Sequence, residues 1–261
     1  MMNETEFLIV LSGIVGLMMG SFFNVCVHRI PRRESIVTPG SHCPSCNHAI
    51  AWYDNIPLVS WSILKGQCRH CAQPISFRYP VLEAVVGLSW AGLAMHFGLS
   101  VMLLQALFLV SFLWILSLID LETGLLPDVL TYPGMVAGLL FSAYFGHLQD
   151  GVIGCVAGYA FFWLVNKGYW LVTRQEGLGH GDFKLLAMLG AFMGWQALPF
   201  IVFASSVIGA VLGGAWLWLN KQQRQSHIPY GPFLALAGMV WFVWHEQILY
   251  NYLHAVGVNL Q

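Results

Sequence analysis

The chain has 261 residues, 57% of them hydrophobic and 9% charged, with a formal net charge of −1. A soluble domain carries about a quarter charged residues, so this composition excludes an ordinary water-soluble globule and makes the bilayer the expected solvent. The small net charge selects no partner by its sign, and no basic run suggests a nucleic acid.

Eight apolar segments are expected to be helices: 7–27, 81–97, 101–119, 129–145, 152–172, 183–195, 198–219 and 232–250. Crossing the hydrocarbon takes about 20 residues. The first segment follows Glu4 and Glu6 instead of a basic stretch, and HRIPRR follows it instead of a small-residue cleavage site. It therefore reads as a retained anchor and not as a signal peptide. The fourth contains Pro133 and Gly134, which predict a kink. The sixth is short and glycine-bearing, which predicts a tilted, partial or shielded span. Gly87, Gly92, Gly209, Gly213 and Gly214 are expected to let helices approach closely.

Eleven lysines and arginines set the expected orientation. Arg29, Arg32, Arg33, Lys65, Arg69 and Arg78 separate the first two segments, Arg174 and Lys184 flank the connection between the fifth and sixth, and Lys221 and Arg224 separate the last two. Lys167 lies just short of the end of the fifth segment. The positive-inside rule then puts the 29–80 loop in the cytoplasm and both termini in the periplasm. The expected fold class is an all-α polytopic membrane protein of about eight transmembrane helices. It divides into a first helix (1–28), a cytoplasmic loop domain (29–80) and a seven-helix core (81–261). The loop, at roughly fifty residues, is too small for a generous apolar core and needs a staple.

Cys43-Pro-Ser-Cys46 and Cys68-Arg-His-Cys71 supply that staple. Two Cys-x-x-Cys hooks at this separation read as a structural zinc site of four thiolates, in which metal binding provides the folding energy a small loop lacks. A redox dithiol or four metal-free thiols are the competing readings, but a redox hook belongs in a βαβ context that this stretch does not offer. His42, His48 and His70 read as polar surroundings of the hooks. Cys26 and Cys155, within apolar segments, read as small buried hydrophobes.

Among the acidic residues, Asp120 closes the third segment, Asp128 opens the fourth and Asp182 opens the sixth, all on the expected cytoplasmic face. Asp128 and Asp182 can each be read as helix caps. Asp120 resists that reading, because it follows a long apolar run at a helix C-terminus, where the macrodipole disfavours negative charge. Two such carboxylates brought together share a proton, so that one can activate water while the other protonates a leaving group. Glycines 177, 179 and 181 would permit an open backbone beside Asp182.

Gly179-His180-Gly181-Asp182 follows the GxGD motif of intramembrane aspartyl proteases, and the longer run GLGHGDFKLLAMLGAFMGW resembles bacterial type IV prepilin leader peptidases. So do GSFFNVCVHRIPR, the two cysteine hooks around WYDNIPLVSW, ISFRYPVLE, IDLETGLLPDVLTYP and IPYGP, in order and over most of the chain. The resemblance implies a bifunctional inner-membrane enzyme. It would cut precursors of type IV pilins or type II secretion pseudopilins after the glycine that ends a short basic leader. It would then methylate the new N-terminus with S-adenosylmethionine. It also implies that Asp120 and Asp182 are the catalytic pair, with Asp128 in the same motif but outside it, and that Cys43, Cys46, Cys68 and Cys71 belong to a zinc-type loop. His180 fills the motif's variable position and reads as a spacer. No glycine-rich dinucleotide loop follows a strand, so the donor site has no address in the sequence; Glu83 beside the loop reads equally as a candidate for it and as an ordinary interfacial glutamate.

Three other classes compete with the peptidase. A proton-coupled transporter would show matched halves, and the cysteine loop and the GxGD run each occur once. A thiol redox carrier would need its cysteines near the outer face. A zinc-stapled scaffold without chemistry of its own would tolerate asparagine at both Asp120 and Asp182.

Overall fold

The computed structural model describes residues 3–175, 177–219 and 229–255, among which there are nine α-helices and no β-strand. The helices are α1 (Glu4–Arg29), α2 (Val59–Ile63), α3 (Arg78–Phe97), α4 (Val101–Thr123), α5 (Asp128–Tyr144), α6 (Leu148–Thr173), α7 (His180–Met193), α8 (Leu198–Leu219) and α9 (Gly231–Ala255). Each of the eight expected segments is a helix. Six of them (α1, α3, α4, α6, α8 and α9) are long and apolar enough to cross a membrane. The other two, α5 with 17 residues and α7 with 14, fall short of that length. Lys221, Arg224 and the first residue of IPYGP lie outside the described residues.

The chain forms two compact units, Met1–Ile115 and Leu116–Gln261. In the first, α1 packs along α3, with Gly13, Gly16 and Gly20 set against Gly87, Trp90 and Glu83. The segment between these helices is tied down by buried polar groups. The Arg29 guanidinium donates to the carbonyls of Ser35, Pro39 and Gly40. The Trp61 indole donates to Ile75. The Glu83 carboxylate accepts the N–H of Leu58 at 2.8 Å. Leu58 has φ 60° and ψ −45°, a conformation a leucine adopts only when its surroundings enforce it.

In the second unit α7 is the core. Beyond Lys184 it is apolar on every side, as a helix surrounded by protein must be, and every residue from Leu185 to Phe192 is buried. Enclosure among neighbours accounts for the stability of so short a helix. It crosses α6 where Gly154 meets Gly190, so closely that a Cβ on either would collide with the other's carbonyl. The Ser142 hydroxyl of α5 donates to the Ala191 carbonyl of α7 at 2.7 Å. Of the glycines expected at helix contacts, Gly87 and Gly209 lie against neighbours, whereas Gly92 and Gly214 face open space.

Candidate active site and metal centre

Asp120 sits in the last turn of α4, 6% exposed. Its carboxylate accepts the N–H of Gly231 at 2.9 Å. Gly231 is the first residue of α9, so the carboxylate that α4's own dipole repels is received by the positive end of another helix. A Cβ at this position would lie 2.7 Å from Asp120 Oδ2, so any other residue displaces the carboxylate or the helix start.

Asp182 is in the first turn of α7, which begins at His180, three residues earlier than the apolar pattern suggests. It is 8% exposed. Gly179 is the N-cap, with extended backbone (φ −71°, ψ 141°), and its N–H is received by the Asp182 carboxylate. Asp182 thus does part of a capping residue's work. It also lies within electrostatic reach of Asp120. Leu126 packs against both Gly181 and Gly231, joining the two neighbourhoods. Two nearly inaccessible carboxylates therefore converge from α4 and α7 beside the start of α9.

Asp128 does not join them. It is the first residue of α5, Pro127 holds the N-cap position, and its carboxylate pairs with Lys184 on the surface. His180 stacks on Phe183, with ring centroids 5.2 Å apart. A residue that the sequence reading missed is Asn166 of α6. It is 8% exposed, and its side-chain oxygen accepts the N–H groups of Gly177 and Leu178 at 2.9 and 3.1 Å. It fixes the approach of the glycine run to Asp182. A lone asparagine in an apolar span was the available signal, because a polar side chain at that depth needs a partner.

The cysteine loop is one hook built twice. The Cys43 N–H donates to His48 and the Cys68 N–H to Gln73, each at 2.9 Å. The N–H of Asn47 returns to Cys43 and that of Ala72 to Cys68. Asn47 and Ala72 share the left-handed conformation at φ 55°. The four sulfurs lie within 4.8 Å of one another, and Sγ of Cys43 and Cys71 are 3.7 Å apart. Sulfurs about 2.3 Å from a tetrahedral zinc stand about 3.8 Å apart, so the residues fit the ion. Backbone N–H groups of Cys46 and Ser45 hold the Cys43 thiol down at about 6. Although the Gln73 N–H favours the Cys71 thiolate, burial and the neighbouring sulfurs push that thiol up to about 12. Arg69, inside the second hook, pairs bidentately with Asp54 and holds its carboxyl below the usual range. The His48 and His70 rings face each other across the hooks, with centroids 3.4 Å apart. Cys26 is buried and Cys155 half-buried.

Fold and site together define a polytopic helical membrane protein with a four-thiol loop and a buried carboxylate pair. The family model described as the bacterial peptidase A24 N-terminal domain matches residues 14–97, and that of the type IV leader peptidase family matches 107–214. Three relatives bear the name prepilin leader peptidase/N-methyltransferase. That of Stutzerimonas stutzeri is 42% identical, over 92% of each chain. That of Aeromonas hydrophila is 41% identical, also over 92% of each. That of Pseudomonas aeruginosa is 41% identical, over 94% of this chain and 93% of its own. No solved structure matches. The chain belongs to the prepilin leader peptidase/N-methyltransferase family, as its ordered motifs imply.

Proposed function

We propose that this chain removes the basic leader of type IV prepilins or type II secretion pseudopilins with Asp120 and Asp182, then methylates the new N-terminal amine. The observation that carries the reading is the convergence of two buried carboxylates from α4 and α7 within electrostatic reach of each other. Carboxylates so placed favour a single shared proton. The ionised partner takes a proton from a water that attacks the scissile carbonyl, and the protonated partner gives its proton to the departing amine. The Gly231 N–H holds Asp120 in place, and Asn166 holds the strand that leads into Asp182.

Zinc on Cys43, Cys46, Cys68 and Cys71 has a structural part in this reading. It braces the segment that Arg29 and Glu83 fasten to α1 and α3. S-adenosylmethionine, when bound, supplies the methyl group. A cavity of about 620 Å³ in the first unit is of small-molecule size, and its mainly apolar walls also carry Ser21, Arg29, Trp52 and Asn55. These residues would hold the donor. The inner membrane is the site of action, with the 29–80 loop cytoplasmic and both termini periplasmic. The concentration of lysine and arginine in 29–80 supports that orientation.

The test is cleavage of a prepilin by the purified protein in liposomes, read by intact mass. Wild type is expected to release the leader and to add one methyl when S-adenosylmethionine is present. Asp120→Asn and Asp182→Asn are each expected to lose cleavage by about 10²–10⁴-fold. Full cleavage by either variant would remove that aspartate from the pair.

A further inference from the structure

The aspartates account for bond cleavage but not for what holds the precursor beside them. In the second unit a cavity of about 480 Å³ lies between α6 and the α8–α9 pair. Phe161, Phe162, Leu178, Ala210, Tyr230 and Phe233 are among its walls, and its lining is mainly apolar. Two of these residues place it. Leu178 directly precedes Gly179, the N-cap of α7 that contacts Asp182. Tyr230 directly precedes Gly231, whose N–H is bonded to Asp120. The cavity is thus one residue removed from the groups that touch each carboxylate. A second connection runs through side chains, because the Phe162 ring faces Tyr230 at 6.0 Å and Phe183, the neighbour of Asp182, at 6.4 Å.

The walls are fixed. Asn166 accepts the Leu178 N–H at 3.1 Å. The Tyr230 hydroxyl is bonded to the Ser205 hydroxyl at 2.7 Å. An aromatic-walled recess, two of whose wall residues neighbour along the chain the groups that touch the carboxylates, fits an apolar side chain, and aromatic rings add edge-to-face contacts when that side chain is itself aromatic.

We infer that this cavity is the subsite that receives a large apolar side chain of the precursor close to the scissile bond, fixing the register of the chain over Asp120 and Asp182. The inference rests on the peptidase reading above. Its occupant is a segment of the substrate and not a lipid chain, because Leu178 and Tyr230 in its walls each lie one residue from a group that touches a carboxylate.

The test replaces Phe161 with photoreactive benzoylphenylalanine in the Asp182→Asn background, so that precursor binds in proteoliposomes without being cut. The expected result is a crosslink to the precursor, mapped by peptide mass to residues flanking the cleavage site, and none from the same probe at Phe203, an outward position of α8 absent from the cavity walls. In otherwise wild-type protein, Ala210→Phe then narrows the recess. It should lower kcat/KM about tenfold through KM for a precursor with a large side chain at the mapped position, and trimming that side chain to alanine should restore the value. Crosslinks to lipid alone, or equal crosslinks from Phe161 and Phe203, overturn the inference while wild-type cleavage of the same precursor leaves the peptidase reading standing. No cleavage by wild type overturns both.

Discussion

Asp120 ends a helix that repels its charge, and a donor from a residue 111 positions away compensates. That single contact argues for the glycine at 231. Gly231→Ala forces a methyl group against the carboxylate, so either α9 withdraws or Asp120 rotates. We predict a 10–100-fold loss of cleavage rate with little change in thermal midpoint, since a small displacement of a reacting group costs about that much. Asp128→Asn, by contrast, should stay within a few-fold of wild type, because an exposed ion pair is worth about 0–1 kcal/mol. A rate assay on both variants, with thermal unfolding of each, checks the pair of expectations. The same contacts mark what was legible in the sequence at this scale. Carboxylates and thiols are scarce in so apolar a chain, so the four cysteines and Asp120 stand out from the residues alone, whereas Asp182 reads equally as a helix cap and is chosen as Asp120's partner by the family resemblance. Gly231 and Asn166 do not. Their roles are defined by partners brought near by packing: an asparagine in an apolar span signals that it needs a partner but not which one, and a glycine signals neither.

Element-scale features follow from how closely backbones approach. Gly154 and Gly190 let α6 and α7 touch along their main chains, and the surroundings of α7 leave no room for retreat. Gly190→Val is therefore expected to lower the thermal midpoint in detergent, by an overpacking cost of at least about 1–3 kcal/mol. Gly92→Ala, which faces open space, should be neutral or slightly stabilising. An unchanged midpoint for Gly190→Val would contradict the close crossing. The sequence pattern located all eight apolar helices but did not say which glycines meet a neighbour, because a uniformly apolar helix carries no stripe to mark its buried face. The pattern also left the sixth segment open among a tilted, a partial and a shielded span, and the burial of Leu185 to Phe192 shows that α7 is shielded by protein.

At the scale of the whole molecule, the apolar helices and the cysteine loop are stabilised by different physics. The loop has little apolar core and depends on paired hooks and buried polar ties. We predict one zinc per chain by elemental analysis, falling to near zero in Cys43→Ser and Cys71→Ser. Metal content should also fall on acidification, because thiolates must be protonated for the ion to leave. Loss of metal should open 29–80 to proteolysis while the membrane helices keep their helical signal. A full complement of zinc in the serine variants would place the metal elsewhere.

The central claim is that Asp120 and Asp182 act as one acid–base unit. The most direct measurement is kcat/KM for wild type, Asp120→Asn, Asp182→Asn and the double variant on one prepilin substrate. Groups that act together lose nearly everything with the first removal. The account predicts a double variant no slower than the slower single variant, within a few-fold. Losses that multiply would mean independent contributions, and the shared-proton mechanism would then be wrong.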